Sequence, residues 1–169
     1  PTATPGLVVE TCGEPLDTGL PLNGAALGPF VHRCSEVLGP RPELAERLPA
    51  VTGVAADAAT MNRIAGAVAR FEAWLQARFR PEAVLRGWPL LSLNPAGSVV
   101  SGTADLIVRT VEGLWIIDHK SDQVEDPAQT FAVYAPQLAS YAAALEADGQ
   151  KVLGVAINWL RRGSVTTAM

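Results

Sequence analysis

The chain has 169 residues, of which 49% are hydrophobic and 18% are charged, and its mean hydropathy is +0.20. This composition excludes an intrinsically disordered chain, and the length is sufficient for one domain with its own hydrophobic core. The 13 basic and 17 acidic residues give a formal net charge of −4, which excludes a strongly basic protein that coats nucleic acid by charge alone.

The N-terminal half of the chain mainly predicts helices. Residues 1–24 are rich in Pro, Gly and Thr and are expected to form an irregular lead-in, with an apolar run at Leu7-Val8-Val9 that favours an edge strand. Helices are expected at residues 30–38, after a Gly-Pro pair, and at residues 42–48. Over residues 58–80, apolar side chains recur at steps of three and four, which predicts a helix that covers a sheet.

The rest of the chain predicts strands and one further helix. Three successive strands are indicated, and the second and third carry apolar residues on both faces, so they belong in the middle of a sheet covered by helices. The predicted segments are strands at 83–93, 98–109 and 114–121, a turn at 94–97, a helix at 136–147, and strands at 152–159 and 165–168. This order of elements predicts one α/β domain.

Charged residues cluster on the hairpin formed by the second and third of these strands. If Glu112-Gly113 is a two-residue turn, the register places Asp105 opposite Lys120 and Ile107 opposite Asp118. Because successive side chains of a strand point to opposite faces, Asp105, Asp118 and Lys120 then share one face. The hairpin is therefore expected to bring two carboxylates and one ammonium group within a few ångströms of one another.

These residue types indicate a particular chemistry. An ordinary salt bridge between Asp105 and Lys120 would account for two of the charges but would leave Asp118 unexplained. Two carboxylates that face one spot repel each other unless a hard divalent cation, Mg²⁺ or Mn²⁺, binds between them. Such an ion activates water and stabilises charge on a phosphate, and Lys120 would orient the water or neutralise the developing charge. The pattern therefore indicates metal-assisted phosphodiester hydrolysis.

Four sequence elements follow one another within residues 24–150. They are Gly28-Pro29-Phe30-Val31-His32, Gly102-Thr103-Ala104-Asp105-Leu106-Ile107, Ile116-Ile117-Asp118-His119-Lys120-Ser121-Asp122, and Tyr134 followed by Gln137-Leu138 and Tyr141. In this order they resemble the C-terminal nuclease domain of RecB/AddA-type helicase–nucleases, a PD-(D/E)xK nuclease. The resemblance implies an α/β fold with a restriction-endonuclease-like core, in which helices flank a central mixed β-sheet, and a single nuclease-like domain over residues 25–169.

The resemblance also implies roles for individual residues. Asp105 and Asp118 would bind the metal ion, and Lys120 would be the catalytic lysine. His32 and the backbone carbonyl of His119 would be further ligands of the metal ion. His32 also has apolar neighbours in the sequence, so by itself it is consistent with a core histidine as well.

Gln137 and Tyr141 form the Q-x-x-x-Y part of the resemblance. Because they are four residues apart, they lie on one helix face, and the resemblance places them beside the active site and the DNA strand. If the motif has no function, the same helix simply packs Leu138 into the core and leaves Gln137 exposed. Two departures from the family stand out: Arg86-Gly87-Trp88-Pro89 replaces a segment that commonly carries a glutamate, and His119 replaces a common tyrosine.

The two cysteines, Cys12 and Cys34, are too few for a disulfide framework, a four-thiolate zinc site or a four-cysteine iron–sulfur cluster. The resemblance therefore points to the branch of the family without an iron–sulfur cluster. The first basic residue is Arg33 and no run of about 18 apolar residues occurs, so neither a secretory signal nor a membrane span is predicted. With a chain that starts at Pro1, these observations predict a cytoplasmic piece of a larger helicase–nuclease.

Three functional hypotheses are consistent with the sequence. The first is a Mg²⁺- or Mn²⁺-dependent deoxyribonuclease in double-strand break repair and recombination, which acts on single strands delivered by a helicase domain of the same chain with a partner subunit. The others are a catalytically silent nuclease-like scaffold and a stand-alone exonuclease. Residues 101–169 contain five basic and eight acidic residues, so we expect weak DNA binding, through the backbone. The basic clusters at residues 78–86 and at Arg161-Arg162 would either contact phosphates or be solvated.

Overall fold

The computed structural model describes residues 6–16, 24–93 and 99–169, which form a six-stranded β-sheet with helices on both faces. The strand order is β1-β6-β5-β4-β3-β2. In chain order the elements are β1 (Leu7–Thr11), α1 (Gly24–Leu38), a 3-10 helix (Pro42–Arg47), α2 (Leu48–Thr52), α3 (Ala58–Phe79), β2 (Ala83–Leu93), β3 (Val99–Arg109), β4 (Leu114–Lys120), α4 (Pro127–Ala147), β5 (Val152–Trp159) and β6 (Ser164–Ala168). The short helix predicted at residues 42–48 is thus a 3-10 helix that leads into α2.

β4 lies in the interior of the sheet and pairs with β5 in parallel, whereas the other neighbouring strands are antiparallel. A parallel pair needs a crossover connection, which α4 provides. The residues from Leu114 to His119 are all buried, as expected for a strand covered on both faces. β1 pairs with β6 at one edge of the sheet, which confirms the edge strand predicted around Leu7-Val8-Val9. The predicted α/β architecture, a mixed sheet flanked by helices, is confirmed.

The two faces of the sheet carry different helices. α4 covers one face, where Phe131 and Leu138 belong to the same buried cluster as Ile116 of β4. α3 covers the other face with the apolar stripe predicted from its sequence, and α1 packs against α3. α3 is capped by Asp57, whose side chain accepts a hydrogen bond from the backbone N–H of Thr60 at 2.7 Å. Within the described ranges, no helix combines the length and the apolar character needed to cross a membrane.

Two helices start earlier than predicted, because each contains a proline that looks like a boundary in the sequence. α1 begins at Gly24 and α4 at Pro127, whereas the predicted starts are residues 30 and 136. An internal proline removes one backbone hydrogen bond, but Pro29 and Pro136 are exposed and their helices bury apolar residues on the opposite side. The start of α4 is fixed by Asp126, whose side chain accepts hydrogen bonds from two backbone N–H groups of the first turn.

The hairpin between β3 and β4 differs in register from the prediction. Its loop has four residues, not two, because the backbone N–H and the hydroxyl group of Thr110 both donate hydrogen bonds to the Gly113 carbonyl, at 2.9 Å each. Ile107 consequently pairs with Ile116 and not with Asp118.

A register error of two residues keeps every side chain on its predicted face. The observed pairs end at Leu106 and Ile117, and one further step places Asp105 opposite Asp118. The predicted pairing of Asp105 with Lys120 is therefore wrong, but the three charged residues of the hairpin still share one face.

β2 and β3 form an extension that we call the hairpin arm, residues 88–93 and 99–104. β3 pairs with β4 only from Leu106 onward, so the hairpin arm projects beyond the end of that pair. The pairing between β2 and β3 is interrupted at Gly87 and Asp105, where Gly87 has a φ of +56°. The turn predicted at residues 94–97 lies outside the described residues.

Candidate active site

The carboxyl end of β4 brings together the charged side chains that the sequence singles out. Asp118 and Lys120 lie on β4, Asp105 lies on β3, and His32 reaches the same place from α1. The ion pair here joins Lys120 to Asp118, with Nζ 2.7 Å from Oδ2, whereas Asp105 contacts His32. The alternative interpretation of the sequence, a salt bridge between Asp105 and Lys120, is therefore wrong in its partner.

Where the backbone pairing of β3 with β4 ends, the side chain of Asp105 accepts a hydrogen bond from β4. The backbone N–H of His119 donates to its carboxylate, with 2.7 Å between N and Oδ2, and His32 Nδ1 lies 3.5 Å from the same oxygen. Burial raises the pKa of Asp105, but the contact with His32 and the bond from His119 outweigh burial and leave this pKa below its ordinary value. The same contact with Asp105 raises the pKa of His32. Asp105 is therefore held as a carboxylate.

Asp118 lies in a different environment. Its side chain is only 6% exposed, and burial, followed by the negative charge of Asp105, raises its pKa despite the nearby Lys120. Lys120 Nζ lies 2.7 Å from Asp118 Oδ2, and no other described residue donates a hydrogen bond to this oxygen. A buried carboxylate beside a second carboxylate is energetically costly in its charged form, so this position favours a nearby cation.

Lys120 is positioned by an aromatic ring that the sequence-based site assignment left without a role. Lys120 Nζ lies 4.5 Å from the ring centroid of Tyr134, a cation–π distance. Tyr134 in turn donates its hydroxyl hydrogen to Asp122 Oδ2 at 2.6 Å, and this bond, with burial, raises the pKa of Tyr134 to about 12. The sequence spacing could have indicated a role for Tyr134, because it precedes Tyr141 by two helical turns and therefore lies on the same face of α4.

The backbone of His119 contacts the candidate site, whereas its side chain is buried in the core. Its N–H serves Asp105, whereas its ring is buried beside Phe71, with ring centroids 5.2 Å apart, and its Nδ1 lies 3.0 Å from Asn158 Nδ2. Because an amide nitrogen only donates, Nδ1 accepts this hydrogen bond. Burial, with a smaller contribution from nearby positive charges, lowers the pKa of His119 to about 4, so the ring is neutral.

Gln137 and Tyr141 lie on α4 and contact each other. Gln137 Nε2 donates to the Tyr141 hydroxyl group at 2.9 Å, and Gln137 is exposed while Leu138 is fully buried. Tyr141 packs against β3 at Gly102, where a Cβ atom would come within 2.6 Å of the tyrosine ring. Tyr141 thus joins α4 to the hairpin arm, and neither it nor Gln137 makes a described contact with Asp105 or Lys120.

The segment that departs from the family pattern also shapes the site. Arg86, which stands near the commonly acidic position, is half-buried and forms an ion pair with Glu72 of α3 at 2.8 Å. The next residue, Gly87, adopts a left-handed conformation opposite Asp105, and a Cβ atom there would lie 3.3 Å from Glu36 Oε1. The pairing of β2 with β3 is interrupted at Gly87 and at Asp105, which lie opposite each other. We therefore interpret the backbone conformation of Gly87 as one of the features that position Asp105. A glycine within a predicted strand was the signal for it.

The donor set suits a hard divalent cation, although it does not form a closed cage. No three His, Cys, Asp or Glu side chains surround one point in residues 6–16, 24–93 and 99–169. Carboxylates are nevertheless the ligand type that Mg²⁺ and Mn²⁺ prefer, whereas an imidazole is more typical of softer metal ions. The buried carboxylate of Asp118, which already contacts the ammonium group of Lys120, fits a cation. Both cysteines are free thiols, and burial raises their pKa values to about 11 and about 12 for Cys12 and Cys34.

Comparison with known proteins places this arrangement in a family. The model of the PD-(D/E)XK nuclease superfamily matches residues 15–165, which include β3, β4, α4 and the four charged residues of the site. No curated protein matches the chain. Nucleases of this superfamily cleave nucleic acid and generally use divalent metal ions. Because the match covers nearly the whole sequence, the chain belongs to the PD-(D/E)XK nuclease superfamily.

Proposed function

We propose that this chain is a deoxyribonuclease that depends on Mg²⁺ or Mn²⁺ and cuts DNA at the carboxyl end of β4. The observation that carries the proposal is the pair of acidic residues on adjacent strands, Asp105 and Asp118, with Lys120 beside them. Membership of the nuclease superfamily supports the reaction type. The raised pKa of Asp118 supports the metal dependence, since a bound cation would stabilise the negative charge that burial and Asp105 disfavour.

Asp105 and Asp118 would hold the ion, with His32 as a further ligand. The backbone carbonyl of His119 is also suitably directed: the N–H and C=O of one strand residue point to the same side, and this N–H points at Asp105. A bound divalent ion supplies an activated water and stabilises negative charge on the phosphate. Binding at Asp118 would replace the present contact between this carboxylate and Lys120.

Lys120, once released from Asp118, has two suitable tasks. Its ammonium group would orient the attacking water or neutralise the negative charge that develops on the phosphate. The ring of Tyr134 keeps the ammonium group at the site, because it lies 4.5 Å from Nζ and is itself fixed by its bond to Asp122. Tyr134 is therefore a positioning residue in this proposal.

The DNA would be a single strand bound mainly through its backbone, with Gln137 and Tyr141 beside it on α4. The excess of acidic residues over residues 101–169 favours weak binding by the domain alone, and thus delivery of the strand by a helicase in the same chain or a partner subunit. We propose this role in double-strand break repair and recombination, in the cytoplasm. The competing hypothesis is a catalytically silent scaffold, but Asp105, Asp118 and Lys120 are all present, which favours the nuclease.

The test is cleavage of linear and circular single-stranded DNA with Mg²⁺, Mn²⁺ or EDTA. Lys120→Ala should abolish cleavage, whereas Lys151→Ala is the matched control, because Lys151 is an exposed lysine before β5 at the opposite end of the sheet. Cleavage in EDTA, or full activity of Lys120→Ala, would overturn the proposed mechanism. A wild-type protein that cuts nothing with either metal, alone or joined to a helicase, would overturn the nuclease proposal and favour the scaffold function.

A further inference from the structure

Trp88 is unusual among the four tryptophans of this chain. Trp159 and Trp115 are 0% and 7% exposed, and Trp74 is half-buried and stacked on Phe71. Trp88 is 44% exposed, and no aromatic ring of the described residues contacts it. Of the four tryptophans, Trp88 is therefore the one whose ring is accessible to a ligand.

The register places Trp88 next to the candidate active site. Trp88 pairs with Ala104 across the hairpin arm, and Asp105 is the next residue of β3. Trp88 shares its face of β2 with Leu90, which is buried in the cluster beneath α4. This is the side of the hairpin arm that carries Gly102 and the ring of Tyr141.

The surroundings argue against a role in pairing with another strand. Trp88 lies on β2, an edge strand, but the following residue is Pro89, which has no N–H group to donate. The exposed apolar residues Leu91 and Val99 lie on the opposite face, because alternation separates them from Trp88 and Leu90. Among the side chains that the structure describes, Trp88 is therefore an exposed ring on the site-facing side, separate from Leu91 and Val99.

We propose that Trp88 stacks on a nucleobase of single-stranded DNA, adjacent to the phosphate that lies between Asp105, Asp118 and Lys120. This inference rests on the proposed function and deepens it. A single strand exposes the flat faces of its bases, whereas a duplex buries them, so an indole beside the site selects for unpaired DNA. Stacking is tolerant of sequence because every base has such a face, and it adds affinity to a domain whose net charge is negative.

The test measures binding in EDTA, so that cleavage plays no part. Fluorescein-labelled oligo(dT) is compared with an abasic strand of the same length, by anisotropy, for the wild type and for Trp88→Ala, Trp88→Phe and Leu91→Ala. Trp88→Ala should weaken binding of oligo(dT) by about 5- to 150-fold, the range typical of one stacked base, and leave binding of the abasic strand unchanged. Trp88→Phe should retain most of the affinity, and Leu91→Ala, on the opposite face, should behave as the wild type.

Equal binding of oligo(dT) and the abasic strand by the wild type would overturn the proposal. So would unchanged binding of oligo(dT) by Trp88→Ala, or a blunt duplex that competes as well as the single strand. These outcomes are separable from failure of the proposed function. A wild type that cleaves DNA with metal while Trp88→Ala binds normally disproves the stacking alone, and base-dependent binding without cleavage disproves the nuclease activity alone.

Discussion

Asp105 and Asp118 are the same type of side chain on neighbouring strands, but the protein holds them in opposite ways. Asp105 receives a backbone N–H and lies beside His32, and its pKa is lowered. Asp118 is more deeply buried, and burial together with the charge of Asp105 raises its pKa. The fold itself therefore stabilises one negative charge, whereas the second depends on a cation, either the ammonium group of Lys120 or a metal ion.

Loss of either carboxylate should have a large effect on DNA cleavage. Asp105→Asn and Asp118→Asn should each reduce metal-dependent DNA cleavage by about 100-fold or more, because each removes a charge that would face the ion and the phosphate. The measurement is the initial rate on single-stranded DNA at saturating Mg²⁺. Asp148→Asn, which neutralises an exposed carboxylate just after α4, is the control. Retention of most activity in either site variant would show that this carboxylate is not part of the active site.

The second effect separates the two carboxylates. In EDTA at pH 7, Asp105→Asn should lower the free energy of unfolding by about 1.5–3 kcal/mol, because it weakens a hydrogen bond to a charged group. Asp118→Asn should be no less stable than the wild type, since it replaces a charge that its environment disfavours with a neutral group of the same shape. Urea denaturation measures the free energy of unfolding of both variants. Equal losses in the two variants would contradict the proposed difference between the carboxylates.

A smaller effect concerns the support of Asp105. Gly87→Ala places a side chain at a φ of +56° and should cost about 1–2 kcal/mol of stability. Gly149→Ala has a comparable strain at a φ of +78° but open space around its Cβ and a position after α4, so it is the matched control. Both variants should lose similar stability, but only Gly87→Ala should also lower cleavage, by about tenfold, because Asp105 shifts. Equal activity of the two variants would contradict this role of Gly87.

The smallest effect is a dependence on pH. The raised pKa of Asp118 destabilises the native state above that pKa, and this cost vanishes once the carboxyl group is protonated in the folded and unfolded states alike. The lowered pKa of Asp105 stabilises the native state above the unfolded value of about 3.9, and this gain is lost as the pH falls further. As the pH falls from 7, Asp105→Asn and Asp118→Asn should therefore approach wild-type stability from opposite sides. Unfolding measured at several pH values in EDTA tests this, and parallel curves would refute it.

Much of this molecule follows from short-range patterns in the sequence. The apolar stripe of α3 and the apolar faces of β3 and β4 predict the layered fold, because burial requires that periodicity. The shared face of Asp105 and Asp118 also follows, since a hairpin loop of four residues instead of two changes the register without changing the face.

The remaining features depend on contacts between distant parts of the chain. Pro29 and Pro136 resemble helix boundaries until the packing of their helices is known. That Lys120 pairs with Asp118 and rests on Tyr134 is decided by the position of α4, which no local pattern of β4 contains. The bond from the His119 N–H to Asp105 likewise exists only because the strands separate there.

The position of His119 determines which substitutions the candidate site tolerates there. The ring packs in the layer under α3, beside Phe71 and Asn158, while the backbone N–H donates to Asp105 at the candidate site. The packing of the core thus determines which side chains are tolerated at position 119. A side chain that fits there leaves the hydrogen bond to Asp105 intact. Proline is the exception, because it lacks the N–H that Asp105 accepts. A substitution at position 119 therefore changes the packing of the core, but every amino acid except proline supplies the backbone N–H that donates to Asp105.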